Sequence, residues 1–264
     1  YEGGTYIDII YSPLKGVSGI DALRKYTFPD PMKIFDFSDL PAAVRSLHTG
    51  NRYFTIIEGE SLHDRCWALR GIEDFMVDLM IDEQAARYLI ENNYRFFCEY
   101  TRMILEKANG QVDAIGMYND LGNQQSMMIS PELYRKYFKE YQRDYVRMAK
   151  SFGVKVFYHS CGHITEILED LVEIGVDILD PLQFKALRLT PTQLRDICKD
   201  RITLHGGLDT QELLVRGTPA QVRESACELK RELGRRGQYI LSCSHLLQVD
   251  VPLQNIEAIV AEVI

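Results

Sequence analysis

The residues best suited to chemistry lie at two places in the chain: His159-Ser160-Cys161 and, much further on, Cys243. Residues two apart on a strand point to the same face, so the imidazole and the thiol of His159 and Cys161 can converge on one ion. With Cys243 they form a set of one nitrogen and two sulfurs. Such a set matches a zinc site with three protein ligands and a fourth position open for substrate or water. Two thiolates and a neutral imidazole balance the charge of Zn²⁺, and soft sulfur suits zinc or cuprous ion far better than magnesium or calcium. A thiol bound there ionises at neutral pH and stays nucleophilic while ligated. The plain alternative is Cys161 as a small packed side chain and His159 as a satisfied core histidine.

Other polar side chains recur at equivalent places. Glu58, Asn119 and Asp120, His159 and Cys161, Gln183, His205 and Asp209, and Cys243 and His245 each follow a short apolar run. The runs are Tyr53 to Ile57, Val112 to Tyr118, Val154 to Tyr158, Val176 to Leu179, Ile202 to Leu204 and Tyr239 to Leu241. Each is succeeded by a longer segment of helical period, which predicts repeated βα units around a parallel sheet. Six successive strands that deliver reactive side chains at their C-terminal ends favour a (β/α)8 TIM-type barrel, which collects its active site there. An open doubly wound sheet would carry a Gly-rich phosphate loop, and the sequence contains neither G-x-G-x-x-G nor a Walker A motif.

Punctuation agrees with this α/β reading. Gly50, Gly110, Gly153, Gly175 and Gly237 stand just ahead of the strands, where a helix end needs a left-handed residue. Ser130-Pro131, Thr190-Pro191 and Thr218-Pro219 mark helix starts, with Gln193 and Gln221 completing capping boxes. From His163 to Glu173 the residues Ile164, Ile167, Leu168, Leu171 and Val172 fall on one helical face. Six strands leave a barrel short. Residues 1–264 are therefore expected to form one barrel domain that lacks its first two βα units, with Tyr6 to Tyr11 as a short hairpin and an exposed edge beside Tyr53 to Ile57.

Composition narrows the function. The chain is 46% hydrophobic and 26% charged, an ordinary globular composition. Thirty Lys and Arg against 38 Asp and Glu give a formal charge of -8, which repels nucleic-acid backbone and anionic lipid. No run approaches the ~18 apolar residues of a membrane span and no basic-then-apolar leader opens the chain, so a cytoplasmic location is expected. Cys66, Cys98, Cys198 and Cys227 fall in expected helices and read as small buried side chains.

Several motifs carry a resemblance. Phe157-Tyr158-His159-Ser160-Cys161-Gly162-His163-Ile164, followed by Glu173 to Gln183, resembles the uroporphyrinogen decarboxylase superfamily, particularly its cobalamin-dependent methyltransferase branch. Asp120-Leu121-Gly122 through Tyr134, His205-Gly206-Gly207-Leu208-Asp209 with Gly217-Thr218-Pro219, and Ser244-His245 through Pro252 with Asn255 are similar to later family segments. The resemblance implies a (β/α)8 barrel and, in the methyltransferase branch, zinc on a His-x-Cys pair and a distant Cys, here His159, Cys161 and Cys243. Leu241-Ser242-Cys243-Ser244-His245 departs from the Pro-x-Cys pattern of coenzyme M methyltransferases and looks like relatives associated with demethylation of methyl ethers.

The function so implied is methyl transfer between a small substrate, a methyl ether or thiol, and cobalamin carried by a corrinoid-binding partner protein. Glu58, Asp120 and His245 are the expected catalytic residues, with Glu58 also a candidate fourth ligand. Asn119, Gln183 and His205 are expected at the substrate, and Tyr118 and Trp67 are candidate pocket walls. For Gln183 and Asp209 a loop-capping role is the stronger reading. A homodimer is left open. Two alternatives stand: a metal-free decarboxylase of a carboxylated tetrapyrrole, which needs a basic pocket, and a non-catalytic scaffold for a corrinoid protein.

Overall fold

The computed structural model describes residues 9–263 apart from residues 51 and 200. Its six strands are β1 (Ile56–Glu60), β2 (Ala114–Tyr118), β3 (Lys155–His159), β4 (Ile178–Leu182), β5 (Thr203–Leu208) and β6 (Tyr239–Cys243). All pair in parallel and lie in chain order, with helices between them. That is an arc of a (β/α) barrel. The expected hairpin, Tyr6 to Tyr11, begins outside the described residues, and residues 9–12 carry no regular structure. Among the described residues no helix is long and apolar enough to cross a membrane.

Register explains where the chemistry sits. Paired residues on neighbouring parallel strands face the same way. Met117, Tyr158, Leu179 and Leu204 form one row across β2 to β5, all buried toward the helices. One residue further along, Tyr118 pairs with His159 and His159 with Asp180, which gives a polar row on the opposite face at the strand ends. Period-two alternation thus separates core from site.

β1 is found three residues later than expected. Tyr53 and Phe54 are exposed, and Thr55 is held outside the strand by the Asp113 carboxylate, which accepts from its N–H at 2.8 Å and its hydroxyl at 2.9 Å. Within β1 the register shifts between Glu58 and Glu60. Strict alternation would put both glutamates on one face. The bulge instead pairs Glu58 with Gly116 on the site face and Glu60 with Met117 on the core face. Gly59 permits this, because a Cβ there would strike the Tyr145 hydroxyl and the Ile115 side chain.

The helix signals are borne out. Thr190 and Thr218 make complete capping boxes with Gln193 and Gln221, and Ser130 accepts from the Leu133 N–H. Gly175, at φ 94°, caps the helix Leu168–Ile174 and donates its N–H to Leu171 O. Ile164, Ile167, Leu168, Leu171 and Val172 are all buried. Cys66, Cys98 and Cys198 are buried as expected. Cys227 is exposed, because it sits one position off the buried stripe Val222, Ala226, Leu229 and Leu233 of the helix Pro219–Leu233.

Asn119, expected at the substrate, lies behind the site. It is fully buried, donates to Glu60 Oε2 at 2.8 Å and accepts from the His63 N–H at 2.8 Å, so its amide is used in tying the β1 exit to the β2 exit. Glu60 also accepts from the Leu62 N–H at 2.6 Å. Burial pushes the Glu60 carboxyl up to about 8, against the hydrogen bonds from Asn119 and Leu62. Between the ordinary carboxylate range and about 8 the folded chain therefore holds a proton that the unfolded chain has released, so stability falls as pH rises through that window. Glu60→Gln should remove this component of the slope in urea unfolding measured from pH 5 to 9. An identical slope in wild type and variant would contradict the assignment.

Candidate metal centre

The exits of β2 and β3 pack backbone against backbone. A Cβ on Gly122 would lie 2.6 Å from both the N and the O of His163, and one on Gly162 would lie 2.6 Å from Asn123 O. Gly162 also has φ 84°, which disfavours any side chain. Across this contact Asn119 N–H donates to His159 O at 2.9 Å, Leu121 N–H to Ser160 Oγ at 3.1 Å, and His163 N–H to Asn123 O at 2.8 Å. The middle residue of His-Ser-Cys is thus a strut.

Asp120 is carried into the same space. Its Oδ1 accepts from the Cys161 N–H at 2.8 Å and lies 3.8 Å from His159 Nε2. His159 Nε2 is 3.5 Å from Cys161 Sγ. Asp120, His159 and Cys161 offer ligand atoms that all fall within 4.8 Å of one another. Nitrogen and sulfur ligands at ordinary zinc bond lengths and a tetrahedral angle stand about 3.6 Å apart, so the observed pair has the right spacing to share an ion.

Asp180, absent from the sequence-based site, completes the centre. Its Oδ2 meets His159 Nδ1 at 2.5 Å and its Oδ1 meets His205 Nδ1 at 2.5 Å. Burial opposes charge on His159, but hydrogen bonds to Asp180 and Cys161 outweigh it and raise the ring to about 10. Burial likewise opposes charge on Asp180, and the two imidazoles hold its carboxyl below the usual range. The signal in the sequence was an acidic residue inside an otherwise apolar strand, since a buried carboxylate must have partners.

The other expected residues are distributed as follows. Gln183 accepts from the Gly162 N–H at 2.8 Å and donates to Ser244 O at 3.0 Å, so one amide spans the backbone beside Cys161 and the backbone beside Cys243. Cys243 is partly buried against the apolar core, which raises its thiol, and is not a member of the three-residue ligand group. His245 is half-buried in the loop after β6. Asp209 caps its loop by accepting from Gln211 N–H at 2.7 Å and pairs with Lys185 at 2.7 Å.

A cavity of about 680 Å³ lies along the β1 side of the sheet and, among the described residues, shares only Tyr118 with the surroundings of this centre. Its walls include Phe28, Phe35, Phe96, Tyr100 and Tyr118, with Glu58 and Arg65 as its exposed charges. The Tyr118 ring lies 5.5 Å from that of His159, which connects cavity and ligand group. Gly116 makes room for it, because a Cβ there would run into the Tyr118 ring. Trp67 is not among the lining residues and donates to Asp64 at 3.2 Å.

Comparison with known proteins fits this geometry. The family model for uroporphyrinogen decarboxylase matches residues 66–264, and the chain belongs to that family. No curated protein matches the sequence. Among solved structures, a methyltransferase from Methanosarcina mazei is similar at 15% identity and TM-score 0.75, over 95% of this chain and 69% of that one. D-Psicose 3-epimerase with D-tagatose from Clostridium cellulolyticum H10 is similar at 12% identity and TM-score 0.48, over 88% of this chain and 82% of that one. The first likeness supports the barrel fold.

Gly122→Ala is expected to force the two exits apart at a cost of about 1–3 kcal/mol. Amide hydrogen exchange at Cys161 should then accelerate as its bond to Asp120 is lost; unchanged exchange would show that the loop contact does not hold Asp120 in place.

Proposed function

We propose that this chain is a zinc-dependent methyltransferase that moves a methyl group between a small substrate, a methyl ether or a thiol, and the corrinoid of a partner protein. The observation that carries this reading is the convergence of Asp120, His159 and Cys161 near Tyr118, which also lines an aromatic cavity. His159 Nε2 and Cys161 Sγ would hold the metal with Asp120, and Cys243 is the further sulfur that the β6 exit would bring. When bound, zinc supplies Lewis acidity toward a substrate oxygen or sulfur, and the corrinoid supplies the centre that gives or takes the methyl.

The chain's own residues supply binding and proton handling. Tyr118, Tyr100 and Phe35 offer flat apolar walls that exclude water from the substrate and orient it toward His159. Glu58, on the site face of β1, is the acid/base group, holding the proton that passes to the substrate oxygen or from the substrate thiol. His205 and His245 serve substrate orientation, and Gln183 ties the backbone beside Cys161 to the backbone beside Cys243.

Among the described residues Arg65 is the one basic side chain that lines the cavity. That favours a small methyl donor or acceptor over a tetrapyrrole bearing several carboxylates, which would need a wall of cations. A pure scaffold has no use for a reactive ligand set linked to a cavity through Tyr118.

Metal analysis of the purified protein tests the reading. About one zinc per chain is expected in wild type, lost in His159→Ala and Cys161→Ser and bound more weakly in Cys243→Ser. The loaded protein should transfer methyl groups between a reduced corrinoid protein and a thiol or an aryl methyl ether. Full zinc occupancy in Cys161→Ser, or no zinc in wild type, would overturn it.

A further inference from the structure

We infer that Asp180 is a shared positioning residue, whose single carboxylate sets the ring orientation of both His159 and His205. The inference rests on the zinc reading for its consequence but on geometry for its substance. Each oxygen of Asp180 is used by one Nδ1, at 2.5 Å in both cases. An ionised carboxylate only accepts hydrogen bonds, so both rings must present Nδ1–H to it. Nε2 is then the position that each ring turns away from Asp180. On His159 that atom faces Cys161 and Asp120, which is the orientation a metal ligand needs. On His205 it is left without a hydrogen bond among the described residues, on the face shared with Phe157, whose ring lies 5.5 Å away.

The arrangement is built rather than incidental. Asp180 is 9% exposed, its Cα is in register with that of His159 across β3 and β4, and its carbonyl accepts from the Ser160 N–H at 2.9 Å. The strand that carries it therefore fixes both the backbone and the ring of the His-Ser-Cys segment. An asparagine could not do the same work. Its one oxygen can accept from one Nδ1–H, while its amide donates and requires the other ring to turn its bare nitrogen toward position 180. One histidine would be driven to the Nε2–H tautomer.

Two measurements on Asp180→Asn test this, zinc affinity by chelator competition and long-range ¹⁵N–¹H NMR of the ring nitrogens. Zinc should bind about tenfold or more weakly. One of the two hydrogen-bonded Nδ1–H signals should vanish. Wild-type affinity with both signals retained overturns the inference. If wild type takes up no zinc, the zinc reading fails, yet the signals in metal-free protein still decide the matter: present in wild type and reduced in the variant supports Asp180's role, and unchanged refutes it. Should Asp180→Asn fail to fold, His205→Ala serves, since Asp180 keeps His159. Zinc affinity close to wild type with the His159 Nδ1–H signal intact supports sharing, whereas zinc loss would make His205 itself a ligand and overturn it.

Discussion

Everything at the centre depends on how closely two loops approach. Gly122 and Gly162 lack the side chains that would keep the β2 and β3 exits apart, and the backbones meet at distances no Cβ would tolerate. That contact delivers Asp120 to the Cys161 N–H and so converts two independent strand ends into one ligand group. Register does the rest. Because Tyr118, His159 and Asp180 are aligned across β2, β3 and β4, the aromatic wall, the imidazole and its carboxylate partner are neighbours by construction.

The electrostatics follow from burial. A partly buried imidazole without a partner would lose its charge, and a buried carboxylate would gain a proton. Paired through Asp180 they do the opposite: His159 is raised to about 10 and Asp180 is held low. A metal bound at Nε2 would have to displace that proton, so uptake of an ion would release a proton at the same ring. Glu60, one layer behind, shows the contrasting case. It has hydrogen bonds but no cation, and burial wins.

Much of the fold was legible in the sequence. All six strands, the two capping boxes and the buried face of residues 164–172 could be read because apolar period and cap chemistry are local. β1 was misplaced by three residues because Tyr53 and Phe54 look like strand residues while Glu58-Gly59-Glu60 does not, and a bulge hid the opposite destinations of the two glutamates. The convergence of the His159 and Cys161 side chains was legible from their spacing. Asp120 displacing Cys243 from the tight group was not, because it follows from a loop contact between strands 35 or more residues apart in sequence. Asn119 misled for a related reason: a polar residue at a strand end can brace the layer beneath the site as readily as face the substrate.

The central claim is that His159 and Cys161 share one ion. Zinc-edge X-ray absorption on the zinc-loaded protein tests it most directly, because sulfur and the lighter ligands scatter differently. The account predicts a mixed shell with sulfur at about 2.3 Å and nitrogen or oxygen at about 2.0–2.1 Å. A shell made only of nitrogen and oxygen would contradict it.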